Sequence, residues 1–284
     1  MYRFSHVAQN ADTRVAMKSK VKNWELIQLI SEGRWSSIYS ARPKTGGTDS
    51  ADYVVKVVEP EVRDRELAIE MLRREFACAE LVSHPGLISF LDHDLGEGIP
   101  LLVSARIYGD SLTTISQKLR HFIDLNEKLM FFRQVSEALR AMHAQQIRHG
   151  DVSPGNIVID LNEGTATLID LGLATRIDHF SSSEQWQAGT PSYIAPECGH
   201  AKDPIVASSD IYSLGKSMQE LFRLDERTRR IETESVMYVC EKLTDLFDKM
   251  TRLHPLRRPT IDEVIEVVSE LEVFSLEGVQ FKAA

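Results

Sequence analysis

Asp151, Asn156 and Asp170 are the residues whose types and spacing could do chemistry together. They lie in His149-Gly150-Asp151-Val152-Ser153-Pro154-Gly155-Asn156 and, a short hairpin later, in Leu168-Ile169-Asp170-Leu171-Gly172. Two carboxylates and an amide that emerge beside the apolar runs Ile157–Ile159 and Ala166–Ile169 can converge on a metal ion and a hydroxyl. Magnesium prefers hard oxygen ligands of this kind. Asp and Asn next to Gly and Pro are also common turn residues, so either segment taken alone is compatible with a plain loop.

A second pair lies upstream. In Val54-Val55-Lys56 the alternation of a strand puts Lys56 on the face of Val54 and Val58, which surrounds its ammonium with apolar side chains. Glu75 stands four residues after Met71 and four before Ala79, so helical geometry turns its carboxylate toward the packed face. A buried acid needs a cationic partner. The plainer alternative is a snorkelling lysine and a solvated glutamate.

These groups need elements to hold them. From Trp24 to about Ala105 the sequence predicts a small antiparallel sheet, with strands at Trp24–Ile30, Ile38–Ala41, Tyr53–Val58, Leu87–Leu91 and Leu101–Ser104 and a turn at Gly46-Gly47. One helix, Arg65–Val82, interrupts it, with Leu67, Met71, Leu72, Phe76, Ala79 and Val82 at helical spacing. After Gly109 helices dominate: Glu127–Gln146, Ser208–Phe222, Met237–Arg252 and a last one opened by the capping box Thr260-Ile261-Asp262-Glu263 and continuing through Leu271. The fold class is α+β, a small sheet with one helix followed by a larger, mainly helical part.

The totals bound the function. A chain of 284 residues can build one large domain or two modest ones, each with its own core, and 43% apolar with 26% charged residues is the composition of a packed globular protein. A net charge of −9 argues against broad nucleic-acid binding, which relies on Lys and Arg. Cys78, Cys198 and Cys240 form no Cys-x-x-Cys pair, which disfavours a disulfide framework or structural zinc and suits a reducing cytoplasm. No segment reaches the roughly 18 uninterrupted apolar residues of a membrane span, and the opening residues lack the apolar block of a secretory signal. Residues 1–23 are expected to be a flexible leader and 274–284 a C-terminal tail. No membrane or nucleic-acid partner is expected, and oligomeric state is left open.

The two segments around Asp151 and Asp170 resemble the catalytic and metal-binding loops of the eukaryotic-type protein kinase superfamily, normally His-Arg-Asp-x-x-x-x-Asn and Asp-Phe-Gly. The resemblance runs from Trp24 to Leu271 and identifies the chain as a divergent, bacterial-like member of the serine/threonine kinases. It implies a two-lobed kinase domain at 24–273, with an N-lobe at 24–105 and a C-lobe at 109–273. It also implies ATP and Mg2+ as cofactors and a protein substrate with a Ser or Thr acceptor, the activity of a non-specific serine/threonine phosphotransferase. Asp151 would accept the proton of the substrate hydroxyl, Asn156 and Asp170 would hold magnesium, and Lys56 would reach the ATP phosphates while paired with Glu75. The adenine would lie between the lobes against Ile30, Ile38 and Val54, with backbone groups at Ala105–Ile107 reading its edge. Gly33, in Ile30-Ser31-Glu32-Gly33-Arg34-Trp35-Ser36-Ser37-Ile38, stands at the middle glycine of the loop that folds over the phosphates. Ser104 would guard the back of the adenine pocket and, being small, enlarge it.

Further fragments follow the family's order. Gly189-Thr190-Pro191-Ser192-Tyr193-Ile194-Ala195-Pro196-Glu197 resembles the end of an activation segment, and Asp210-Ile211-Tyr212-Ser213-Leu214-Gly215 the helix whose aspartate holds the catalytic-loop backbone. Arg258 is the arginine that the family pairs with Glu197, and Thr190 sits where serine/threonine kinases keep a threonine against the catalytic aspartate. Small-molecule kinases of the aminoglycoside and choline type share a His-Gly-Asp loop, but they lack the Ala-Pro-Glu segment.

The departures matter. Ser31 and Ser36 replace two glycines of the phosphate loop, Ser153 replaces a lysine that steadies the transferring phosphate, and Leu171 replaces a phenylalanine. Gly150 replaces an arginine that binds a phosphorylated activation loop, so control through Ser181, Ser182 and Ser183 is not expected. Loss of positive charge slows phosphoryl transfer, which leaves a nucleotide-binding pseudokinase scaffold as the reading from another class.

Overall fold

The computed structural model describes residues 21, 23–45, 50–96, 98–177, 189–199, 206–223 and 234–280. The Gly46-Gly47 turn, Ser181–Ser183 and most of the leader lie outside the described residues. The chain divides into two compact units, Met1–Glu80 with Ser89–Arg106, and Leu81–Ile88 with Ile107–Ala284.

The first unit is built on five strands: β1 (Trp24–Glu32), β2 (Ser37–Pro43), β3 (Tyr53–Val57), β4 (Asp92–Asp94) and β5 (Leu101–Ala105). Their order is β1-β2-β3-β5-β4, and every pairing is antiparallel. Period-two alternation divides the side chains between two faces. Leu26, Tyr39, Ala41, Val55, Val57, Leu101 and Val103 fill one apolar cluster. The register sets Lys56 between Ile38 and Leu102, and Val54 between Ser40 and Ser104, on the other face.

Helix α1 (Arg65–Leu81) carries the acid of this unit. Its fully buried positions are Ala68, Leu72, Glu75 and Cys78, one residue in every three or four. Of the apolar set read from the sequence, Leu72 lies at the centre of that stripe, while Leu67, Met71, Phe76 and Ala79 flank it, half-buried. The strand expected at Leu87–Leu91 is corrected. Leu87 instead makes an isolated parallel bridge with Leu168 in the second unit, and the strand proper is Asp92–Asp94, paired with Leu101–Val103. The amides of Leu87 and Ile88 bond to the carbonyls of His84 and Leu168, so the apolar run Leu87–Ile88 is drawn off the first sheet.

The second unit holds α2 (Leu125–Ala144), α3 (Ser208–Leu221), α4 (Glu234–Met250) and α5 (Ile261–Gln280). Asp124 and Glu127 cap α2 reciprocally, at 2.8 Å in each direction, which starts the helix two residues before the expected Glu127. Thr260 and Glu263 do the same for α5, as the sequence predicts. Short ribbons lie against these helices: β6 (Asp110–Ser111), β8 (Ile157–Asp160) and β9 (Thr165–Leu168) form one small sheet, while β7 (Ile147–Arg148) pairs with β10 (Thr175–Arg176). Gln134 of α2 clamps the hairpin between β8 and β9, donating to the Gly164 carbonyl and accepting from the Ala166 amide. That hairpin carries Asn156 at one end and Asp170 at the other.

Candidate active site

In the first unit, Lys56 Nζ lies 2.6 Å from Glu75 Oε2. Glu75 is 1% exposed and sits on the buried stripe of α1, so its charge is set against the lysine rather than water. Ile38, Val54 and Lys56 share the half-buried face of the sheet. Ile30 is exposed and falls at an irregularity between Leu29 and Ser31, where β1 slips out of register with β2. Ser104 is buried opposite Val54. Ala105 closes β5, and Ile107 begins the longer segment of the second unit. The β1–β2 loop is closed by a hydrogen bond from the Gly33 amide to the Ser36 carbonyl, at 2.9 Å.

In the second unit, the loop after β7 is organised by one buried carboxylate. Asp210, in the first turn of α3, is 1% exposed and accepts three hydrogen bonds: from the amides of His149 and Gly150 at 2.8 and 2.9 Å and from His143 Nε2 at 2.9 Å. Burial alone pushes the Asp210 carboxyl up, yet the His143 hydrogen bond and the nearby Arg148 charge outweigh it and hold the carboxyl below the usual carboxylate range. His149 is fully buried and its basicity is lowered by that burial. Its partners fix the neutral tautomer: Nδ1 accepts the Asp151 amide at 3.3 Å, so the proton is on Nε2, which faces the Ile169 carbonyl at 3.2 Å.

This histidine therefore ties Asp151 to the residue before Asp170. A second tie runs from the Ile169 amide to the Asn156 carbonyl, at 2.8 Å. Asn156 donates its amide nitrogen to both the Asp151 carbonyl and Asp151 Oδ2, each at 2.9 Å. With Nδ2 so committed, Oδ1 is the Asn156 atom left to meet a cation. Asp151 Oδ1 accepts the Thr190 amide at 2.9 Å. Threonine 190 thus reaches the aspartate through its backbone. Asp170 takes a left-handed backbone, φ 64°, and its Oδ1 accepts the Gly172 amide at 3.2 Å. A non-glycine residue there is strained unless its surroundings hold it, and the two ties through Ile169 do so. Asp151, Asn156 and Asp170 are thereby gathered in one hydrogen-bonded loop system, and Lys56 and Glu75 form a separate pair in the other unit. An amide oxygen and a carboxylate are the hard donors magnesium accepts, and that ion needs only one or two carboxylates from a protein.

The departures have a structural setting. Gly150 has φ +85°, and a Cβ built there would come within 2.5 Å of the Leu173 carbonyl oxygen and 3.2 Å of Arg148 Nη1. Arg148 also bonds Thr175 through Nε. Ser153 is 2% exposed, so the position holds a small buried side chain. Leu171 is buried, as an apolar packing group should be.

Arg258 grips Glu197 through both terminal nitrogens, at 2.5 and 2.7 Å, and donates to the carbonyls of Ser208, Arg252 and Leu253. Its guanidinium lies over the Tyr212 ring at 5.0 Å. Burial pushes the Glu197 carboxyl up, but Arg258 and the Ser209 hydroxyl hold it below its ordinary value. Sequence reasoning missed His143, Ser209 and Ser217, whose hydroxyl bonds the Val152 carbonyl. His143 could have been found, because it follows Met142 on a helix that packs immediately ahead of the loop. Small serines inside an apolar helix carry no comparable signal.

A family model described as the protein kinase domain matches residues 24–268. Among curated proteins, the chain is 23% identical over 266 residues to CBL-interacting serine/threonine-protein kinase 9 of Arabidopsis thaliana, covering 88% of this chain and 58% of that one. It is 32% identical over 207 residues to serine/threonine-protein kinase PknA of Mycobacterium tuberculosis, covering 68% and 44%. With serine/threonine-protein kinase Nek5 of Mus musculus the identity is 25% over 258 residues, covering 86% and 40%. The chain thus spans roughly half the length of these relatives. The family match takes in both compact units and nearly all of the described residues, and on that match the chain belongs to the protein kinase family.

Proposed function

We propose that the chain is a serine/threonine protein kinase, transferring the ATP γ-phosphate to Ser and Thr hydroxyls of protein substrates in the cytoplasm. The observation that carries this reading is the placement of Asp151. Its carboxylate is aimed by Asn156 Nδ2 on one oxygen and the Thr190 amide on the other. Each oxygen keeps a second acceptor direction for a substrate hydroxyl. Asp151 is accordingly the base that takes up the hydroxyl proton. Magnesium, bound through Asn156 and Asp170, would supply neutralisation of the phosphate charge. Lys56, oriented by Glu75, would meet the α- and β-phosphates, and the loop of Gly33 would cover them. Ile30, Ile38 and Val54 would pack on the adenine, and backbone groups at Ala105 and Ile107 would read its edge. The relatives, all named serine/threonine kinases, support the choice of acceptor. Three free cysteines support a reducing compartment, and no helix among the described residues is long and apolar enough to cross a membrane.

A second reading, a nucleotide-binding pseudokinase scaffold, is favoured by the uncharged, buried Ser153 and by Ser31 and Ser36. One assay separates the two: transfer of label from radioactive ATP to a generic protein substrate, run with Asp151→Ala and Asp170→Ala alongside. Label above both variants is expected. Equal label in all three leaves the scaffold.

A further inference from the structure

Gly33 and Arg34 of the β1–β2 loop are exposed, but the side chain that follows them turns inward. Trp35 is half-buried and packs against the cluster of Val58, Ala68, Leu72 and Leu102. Ala68 and Leu72 belong to α1, whose next buried position is Glu75. Val58 directly follows β3, the strand of Lys56. One indole thus touches a cluster drawn from the helix that carries Glu75 and from the end of the strand that carries Lys56. Arg34 lays its guanidinium over the same ring at 4.4 Å, and its Nη2 lies 3.8 Å from Asp64 Oδ2. The Asp64 carbonyl accepts the Ala68 amide at 3.0 Å, so Arg34 reaches the start of α1.

We infer that Trp35 is a positioning residue that fastens the β1–β2 loop to α1, with Arg34 as its clasp, so that the closed loop and the Lys56–Glu75 pair hold each other in place. The loop has serine where two glycines would give it freedom, at Ser31 and Ser36. Its surviving Gly33 is not in the left-handed region, and a Cβ there would meet only the Ser36 carbonyl at 3.3 Å. Backbone freedom is therefore not what sets the height of this loop. Packing of its tip sets it, since an aromatic ring over an apolar cluster defines a single position, and a loop held in its binding conformation spares the ligand the ordering of it.

This inference rests on the nucleotide-binding reading above. The test is calorimetric titration of the full chain with adenylyl imidodiphosphate and magnesium chloride. Trp35→Ala is expected to weaken binding about tenfold, equivalent to ~1.4 kcal/mol, and Trp35→Phe to stay near wild type. Glu75→Gln with Trp35→Ala is expected to bind no more weakly than Glu75→Gln alone, because both break the same coupled arrangement. In turnover assays KM for ATP rises in Trp35→Ala while KM for the protein substrate does not, a split that general destabilisation would not produce. Should Trp35→Ala fail to fold, the exposed Arg34→Ala carries the test, with about threefold weaker binding expected for a partial loss of the clasp. Wild type that binds while Trp35→Ala or Arg34→Ala binds equally well, or strict additivity of Trp35→Ala and Glu75→Gln, overturns the inference alone. Wild type that binds no nucleotide removes it together with the functional reading.

Discussion

The two units secure their candidate groups by different means. In the second, a buried aspartate captures two consecutive backbone amides and a histidine, and a second histidine bridges the two loops. In the first, one ion pair and an apolar contact at the loop tip do the corresponding work. Hydrogen bonds to fixed backbone atoms over-determine a loop, so side chains within it can change without moving it. That is where Gly150, Ser153 and Leu171 have departed from the family pattern. A loop held by packing responds instead to what its tip carries.

Asp210→Ala is the severest way to break the contrast, because it strands two backbone amides, one of them buried, and His143. Loss of one partner in such a buried charged network costs about 3–5 kcal/mol, and urea unfolding should register it together with loss of phosphoryl transfer. Acid is the next. The Asp210 and Glu197 carboxyls are depressed in the folded state, so their stabilisation is complete above the ordinary carboxylate range and is lost as pH falls through their folded values. His149 is a base depressed by burial, so the unfolded chain takes up its proton first and stability already declines below about pH 6.5. A pH series of melting curves should show the early decline disappear in His149→Asn if that variant folds. A single fall confined to the carboxylate range in wild type would contradict the neutral buried histidine.

Glu75→Gln acts on the first unit. It keeps the shape but removes the charge opposite Lys56, and loss of about 1–3 kcal/mol of transition-state stabilisation is expected in kcat/KM for ATP. Hydrogen-exchange protection of the Asp151 to Asn156 loop should stay as in wild type. The smallest effect belongs to Ser31→Gly with Ser36→Gly, which restores freedom to the loop without touching its tip. Nucleotide affinity should change by less than about 1 kcal/mol, and a larger gain would show that backbone freedom, not the docked tip, limits the loop.

Much of this arrangement was legible in the sequence because it is encoded locally. Helical spacing alone turned Glu75 inward, and alternation alone placed Lys56 beside Val54. The Thr260–Glu263 capping box marked the start of α5 correctly. The run Leu87–Leu91 misled, since a short apolar segment has the same composition whether it joins the first sheet or bridges to Leu168 in the second unit. The serines of α3 were silent for a related reason. Ser213 bonds back to the Ser209 carbonyl and Ser217 to the Ser213 carbonyl, within their own helix, and nothing in their spacing says that Ser217 also reaches Val152. Trp35 was visible as a residue but not as a contact, because it meets the cluster of Val58, Ala68, Leu72 and Leu102 across a long stretch of chain.

The left-handed backbone at Gly150 makes one change in this chain hard to undo. A single codon substitution could write arginine back into the sequence, but the new Cβ would collide with the Leu173 carbonyl before its charge could reach anything. Reversion would first require the neighbouring main chain to be rebuilt, so an engineer who wants a phosphate-triggered version must redesign both segments at once.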